Sequence, residues 1–430
     1  MLTARIHRSI WLAAFSMALV SLSCGGGDGG PATPPGETCT SEPGEVSLAG
    51  TSGNVYNWAG TGQAGYGATG QIPAATRLYW PQDVTIAPNG TPYVLDWNNH
   101  RVVAVNGCGN FKLIVGVTNG DFGDPCDGYV NCQDVKATTS KLNHPTSVAF
   151  NPANGHMILS AWHNSEIFDL DLSTGLMDRI CGDGSRSYNG DGQAAISAYT
   201  DLPVGVAYDS QGRLCFADQA NMVVRMIDET GVIHTIAGTP PDLSGPFPVR
   251  QPGFAGDGGP AVDAKLFFEA GQVADPSGKI CFDAAGNMYI ADSQNHCIRV
   301  VDTNGIINRF AGIGPSAPGY GGDGGNALAA NLDEPRDVAV DPATGNVYIA
   351  DTGNHVIRMV APDGIITTVV GNYHGTGPSI PPLTPAQVQA ENGLPAADVT
   401  LTTPYGIEID SKGRLLIADT GNHVIRLFFP

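Results

Sequence analysis

Ten residues, Ile349-Ala350-Asp351-Thr352-Gly353-Asn354-His355-Val356-Ile357-Arg358, recur letter for letter at Ile417 to Arg426. Each copy carries an aspartate, a histidine and an arginine. A general base, a metal ligand and an anion clamp are all within the chemistry of such a set. Weaker copies run from Ile290 to Arg299, from Phe216 to Arg225 and from Leu95 to Val103, with a degenerate one from Leu159 to Phe168. The aspartate position falls at 96, 161 (an alanine), 218, 292, 351 and 419, with spacings of 65, 57, 74, 59 and 68 residues. Chemistry repeated at such a period signals architecture before catalysis. If Thr-Gly-Asn-His is a hairpin loop, Asp351 pairs with Val356, and Arg358 lies diagonal to Asp351, within reach at about 7–8 Å. Unit two loses both partners together, to Ala161 and Phe168, whereas unit one keeps Asp96 but has Val103 at the arginine position. The pair therefore reads as structural. His100, His296, His355 and His423 sit on different units, too far apart to share an ion at about 2 Å from each. They are expected to hydrogen-bond one unit to the next.

The elements that carry these residues read as strands. In unit five they are Asp337–Val340, Asn346–Ala350, Val356–Val360 and Gly364–Val370, separated by Gly, Asp and Asn turns. Six such four-stranded antiparallel sheets in series predict an all-β, six-bladed β-propeller over residues 50–430. The chain ends on a third strand, and an unpaired strand, Asn54 to Gly60, stands at the start. That N-terminal strand is expected to complete the last blade.

The units resemble NHL repeats, named for the Asn-His before the third strand. The second hallmark is the loop Gly319-Tyr320-Gly321-Gly322-Asp323-Gly324-Gly325-Asn326-Ala327-Leu328-Ala329-Ala330-Asn331-Leu332 with Pro335 beyond it. It recurs at Gly253 to Leu266 and more loosely at Ser187 to Tyr199. The resemblance implies the propeller and no single function, since such propellers serve as interaction modules, sensor domains and, in some cases, enzymes. The Gly-Asp-Gly-Gly loops could cradle an anion, since successive backbone N–H groups can form a concave nest, or calcium or another divalent ion, but glycine is also what positive φ requires. No cofactor is expected.

Chemistry on a propeller sits at the central channel, where the first strands begin. Those positions are Asp83, Ser147, Gly205, Lys279, Asp337 and Gly406. Only two carboxylates fall among them, with Asp83, Ser147 and Asp337 the channel-mouth candidates. A metal-dependent hydrolase or lyase at the channel is the alternative; the first expectation is a binding module, not an enzyme. No Ser/His/Asp order, zinc spacing or phosphate loop stands elsewhere.

Acids outnumber bases 41 to 21 among 430 residues, a net charge of −20. Nucleic acid is excluded as a partner, because phosphate binding rests on clustered Lys and Arg. Residues 1–23 read as an export signal, with Arg5, His7 and Arg8 before an apolar run from Ile10 to Leu22. Cys24 and the glycine run after it resemble a bacterial lipoprotein signal, in which the cysteine is lipidated. That implies a protein anchored on the outer membrane or cell surface through lipid alone. Residues 24–49, rich in Gly and Pro, read as a flexible tether. Export leaves eight further cysteines in an oxidising compartment. Cys126 and Cys132 are the best disulfide, and Cys39 with Cys108 the second candidate. Cys181, Cys215, Cys281 and Cys297 lie in strands, where buried thiols are at least as good a reading.

The loops from each fourth strand to the next first strand span 60–81, 116–145, 182–203, 238–276, 312–335 and 371–404. Long and short alternate. Long ordered loops in a compact domain point to function. Phe122, Tyr129, Phe247, Phe254 and Tyr373 (with Ile380) are the binding candidates they carry, for a peptide, protein or glycan partner of a monomer.

Overall fold

A computed structural model describes residues 49–271, 274–373 and 381–430. The signal segment, Cys24, Cys39, nearly all of the tether and Ile380 lie outside the described residues. Six antiparallel sheets follow one another along the chain as the blades of a six-bladed propeller. Blade five consists of Pro335–Val340, Val347–Asp351, Val356–Val360 and Ile365–Val370, innermost to outermost. Asp351 pairs with Val356 as the spacing predicts. The strand Asn54–Ala59 closes the ring by pairing with the C-terminal strand Val424–Phe428, in the register Val55 to Phe428 and Asn57 to Arg426. The core lies between neighbouring blades: Ile349, Val347 and Val360 of blade five pack with Tyr289 and Ile298 of blade four.

Four blades have a fifth strand that the repeat did not announce. Val135–Lys136, Gly259–Pro260, Gly325–Asn326 and Leu394–Pro395 each pair with an outermost strand. These pieces belong to the connecting loops. Each loop runs along the outer strand of the blade it enters and covers an edge that would otherwise offer unpaired backbone groups. The Ala-x-x-Ala-x-Leu stretch follows as a single 3-10 turn, Ala261–Asp263 or Ala327–Ala329.

Five of the six seams between blades are closed the same way; blade two has Ser165 at that position, and its buried hydroxyl makes no such bond. After the repeat turn, His355 adopts a left-handed conformation, φ 58°, which turns its ring toward the next blade. Its Nδ1 accepts the amide of Thr403 at 3.0 Å, and Thr403, also at positive φ (46°), precedes Pro404. His423 serves Trp80, His100 serves His144 and His296 serves Glu334, at 3.1–3.2 Å. Met222 takes the place of the histidine in blade three, and its sulfur accepts the Phe268 amide at 3.3 Å. The histidines thus bond blade to blade, as their spacing requires. An imidazole accepts only when that nitrogen is unprotonated, and burial holds His100 and His423 down at about 4.

Candidate functional site

The repeat's aspartate and arginine meet in every blade that has both. Arg358 reaches Asp351 at 3.3 Å, Arg299 reaches Asp292 at 3.3 Å, Arg225 reaches Asp218 at 3.4 Å and Arg426 reaches Asp419 at 3.0 Å. Both partners have fully buried side chains. Blade one is not the exception that Val103 suggested. Arg101, directly opposite Asp96, supplies the guanidinium at 2.8 Å. The long side chain reaches its partner from the facing position as well as from the diagonal one. Blade two replaces the pair with Glu166 and Arg179, 2.8 Å apart, and burial lifts Glu166 to about 7.

The guanidinium also holds the incoming loop. Arg358 bonds Asp323 of the Gly-Asp-Gly-Gly loop at 2.7 Å and the Gly321 carbonyl at 3.1 Å, with the Tyr320 ring 5.0 Å away. Arg299 repeats this with Asp257 and Phe254, and Arg225 with Asp191 and Tyr188. The loop carboxylate that could have joined a calcium site therefore faces an arginine. The aspartate of the pair accepts a loop amide too, Asp333 to Asp351 at 2.8 Å. In blade two, which lacks the aspartate, Asn164 accepts the Asn143 amide at 2.9 Å instead.

At the channel the first strands bring Asp83, Ser147, Gly205, Lys279 and Asp337 together around a cavity of about 190 Å3. Lys279 Nζ lies between the two carboxylates, 2.6 Å from Asp83 and 2.9 Å from Asp337. Asp337 also accepts the Ile407 amide of blade six at 2.8 Å. Ser147 accepts the Val206 amide at 3.1 Å. The sequence reading missed Glu408, which lines the same cavity. It stands two residues after the channel glycine Gly406, and strand alternation puts it on the same face. Burial, with Asp83 and Asp337 nearby, lifts it to about 8, and burial lifts Asp83 to about 6 against the pull of Lys279. The positive charge that a metal would bring between these carboxylates is already supplied by the chain.

Among the described residues, one group has metal-ligating types close together: Asp124, Cys126 and Glu166. Cys126 is bonded to Cys132, and Glu166 is paired with Arg179, so the group is committed to structure. Cys108 is disulfide-bonded. Cys181, Cys215, Cys281 and Cys297 are free thiols, and burial pushes Cys181 and Cys215 up to about 12.

The connections between blades and the turns within blades differ in chemistry. All thirteen exposed large apolar residues among those described lie in the loops between blades, and six of them lie in 238–276. Seven hairpin turns within blades open instead with an aspartate that accepts an amide two residues on, as Asp209 and Asp283 do. Phe247 is 77% exposed and Phe122 61% exposed, with the Phe122 ring 4.9 Å from that of His100. Tyr129 is exposed as well. Phe254 covers Arg299 and Tyr373 stacks on Tyr320 at 4.0 Å, so these two also act as packing groups. The sequence reading also missed the cluster of Trp80, Trp97, His144, Trp162 and His163, with ring centroids 4.2–6.0 Å apart along the chain of contacts. Their signal was the bulky residue after the aspartate position in units one and two, where units four to six have Ser293, Thr352 and Thr420.

The teneurin NHL domain family model matches residues 162–249 and 312–389. Teneurin-1 of Mus musculus is 24% identical over 366 residues, 81% of this chain and 12% of teneurin-1. Protein SUPPRESSOR OF QUENCHING 1, chloroplastic, of Arabidopsis thaliana is 26% identical over 272 residues, 62% of this chain and 23% of that protein. The chain thus spans under a quarter of the length of these curated relatives. Among solved structures, a Bacteroides thetaiotaomicron protein of unknown function has a TM-score of 0.58 at 16% identity, covering 87% of this chain and 75% of that one. An auxiliary nutrient binding protein from the same organism has a TM-score of 0.56 at 15% identity, with the same coverage. These structures share the fold.

Replacing Lys279 with Met strands Asp83 and Asp337 as buried carboxylates. The fold should lose about 3–5 kcal/mol at pH 7. Without the lysine both carboxyls hold their protons in the fold to a higher pH than in the unfolded chain, near 3.9. The variant is therefore favoured where they are protonated, and its deficit should shrink as pH falls from 8 to 5. Denaturant titrations at several pH values check this; a deficit that does not change with pH contradicts it.

Proposed function

We propose that this propeller of NHL-type repeats is a binding module that engages its partner through the loops between blades. The observation that carries the reading is the confinement of the thirteen exposed large apolar residues to those loops. Contiguous exposed apolar surface marks interaction sites in soluble proteins. The loop 238–276 supports it further. Asp242 and Val249 bond each other backbone to backbone at 2.9 Å in both directions, so Leu243 and Phe247 are held out on a short hairpin. A preformed hairpin loses less entropy on binding than a disordered one. Few Lys or Arg stand among these residues, which favours a peptide, protein or glycan over a polyanion. The channel supports the same choice over a metal-dependent hydrolase or lyase, because Lys279 already holds its two carboxylates.

Shortening the stretch between Thr239 and Pro252 at its hairpin tip, 243–248, so that Arg250 stays on Asp201, should abolish partner capture and leave the melting temperature nearly unchanged. Capture of the same partner after the three long loops are trimmed contradicts the reading.

The proposal extends to the address. Lipid on Cys24, followed by the Gly- and Pro-rich segment, would hold the module at the outer membrane or cell surface. The Cys24→Ser protein should then appear in the soluble fraction; retention on membranes argues against the anchor.

A further inference from the structure

Many of the bases among the described residues are committed to acids inside the fold. The five repeat arginines are fully buried and paired, and Lys279 is shared by two carboxylates. Arg186 and Arg250 are different. They come from two separate loops, 182–203 and 238–276, and converge on a single carboxylate. Arg186 Nε donates to Asp201 Oδ1 at 2.8 Å, and Arg250 Nη2 donates to Asp201 Oδ2 at 2.7 Å. Asp201 is buried; the arginines are 26% and 41% exposed along their side chains. Both border a cavity of about 310 Å3, together with Ser187, Tyr188, Asn221, Pro248 and Val249.

The hydrogen bonds to Asp201 occupy one nitrogen of each guanidinium. The other nitrogens remain as donors beside the cavity, in the fork geometry that suits a planar anion. The other charges nearby are already answered. Asp191 and Asp218 are paired with Arg225, and burial, reinforced by Arg186, holds His163 down at about 4. Two arginines against one aspartate leave a surplus of one positive charge. That matches a monoanion better than a dianion in a chain of net charge −20. Pro248 and Val249, at the base of the hairpin that carries Phe247, add apolar lining to the cavity.

We infer that the cavity between Arg186 and Arg250 binds a carboxylate joined to an apolar body. The carboxylate seats on the two guanidiniums, and the body packs against Pro248, Val249 and the hairpin. The inference rests on the reading of the loops as the binding face and names the chemistry that one of them recognises. A free organic acid and the C-terminus of a peptide both present this chemistry.

Calorimetric titration of the full chain with N-acetylphenylalanine and N-acetylphenylalaninamide tests it. The acid should bind and the amide should not. Arg250→Gln and Arg186→Gln should each lose acid binding while still unfolding cooperatively, since each leaves buried Asp201 with the other arginine as its partner. Asp201→Asn removes the competing carboxylate and should bind the acid several-fold more tightly, a gain that a purely structural role for the arginines does not produce. A peptide ending in free phenylalanine that binds more tightly than the acid assigns the source to a polypeptide end; equal or weaker binding assigns it to a free acid, and either result supports the site. Equal binding of acid and amide, no binding of either at millimolar concentration, unchanged affinity in both arginine variants, or no gain in Asp201→Asn overturns it. These outcomes leave partner capture by the loops untouched, so the two readings fail separately.

Discussion

A buried guanidinium must be neutralised and hydrogen-bonded where it lies, and five blades of this propeller are built around that requirement. An arginine with no solvent exposure and no partner would cost several kcal/mol. In blades three, four and five the requirement is met three ways at once: by the aspartate of the second strand, by the aspartate of the incoming loop and by an aromatic face. The consequence reaches beyond the pair. A loop whose carboxylate and ring are needed by a buried charge is fixed along the blade it covers, and its remaining apolar residues are presented in fixed positions. Fold and candidate function share one cause.

The seams add a second constraint. In five of the six blades a histidine or methionine in left-handed conformation after the repeat turn reaches an amide of the following blade, and that amide belongs to the loop that leads into the next first strand. The channel triad then ties blades four, five and one through Lys279, with blade six bound to Asp337 through Ile407. Ring closure by Asn54–Ala59 leaves no open edge in the last blade.

Local periodicity made the blade count, the closing strand and the pairing of Asp351 with Val356 legible in the sequence. The positions around the channel were legible for the same reason, since each follows the same signal in every unit. What escaped was contact between segments distant in sequence. Arg101 was overlooked because the diagonal rule pointed at Val103, and a facing residue can reach as far. Lys279 was placed at the channel, yet nothing local said that it would bridge blades one and five. Glu408 was readable from strand alternation two residues past Gly406. The convergence of Arg186 and Arg250 on Asp201 was not, because it depends on how two loops fold over one another. The loop strands on four blades were hidden for a related reason: two residues pairing with an edge leave no pattern of their own.

The propeller thus has two unlike kinds of connection, aspartate-capped turns within blades and apolar loops between blades held by buried charge. The claim that the repeat arginine organises those loops is tested most directly by a double-mutant cycle between Arg358 and Asp323. Unfolding free energies of Arg358→Met, Asp323→Asn and the double variant are compared with the parent. The account predicts strong non-additivity, with a coupling of about 1 kcal/mol or more and loss of hydrogen-exchange protection in residues 319–331 in each single variant. Additive effects, with that loop as protected as in the parent, would contradict it.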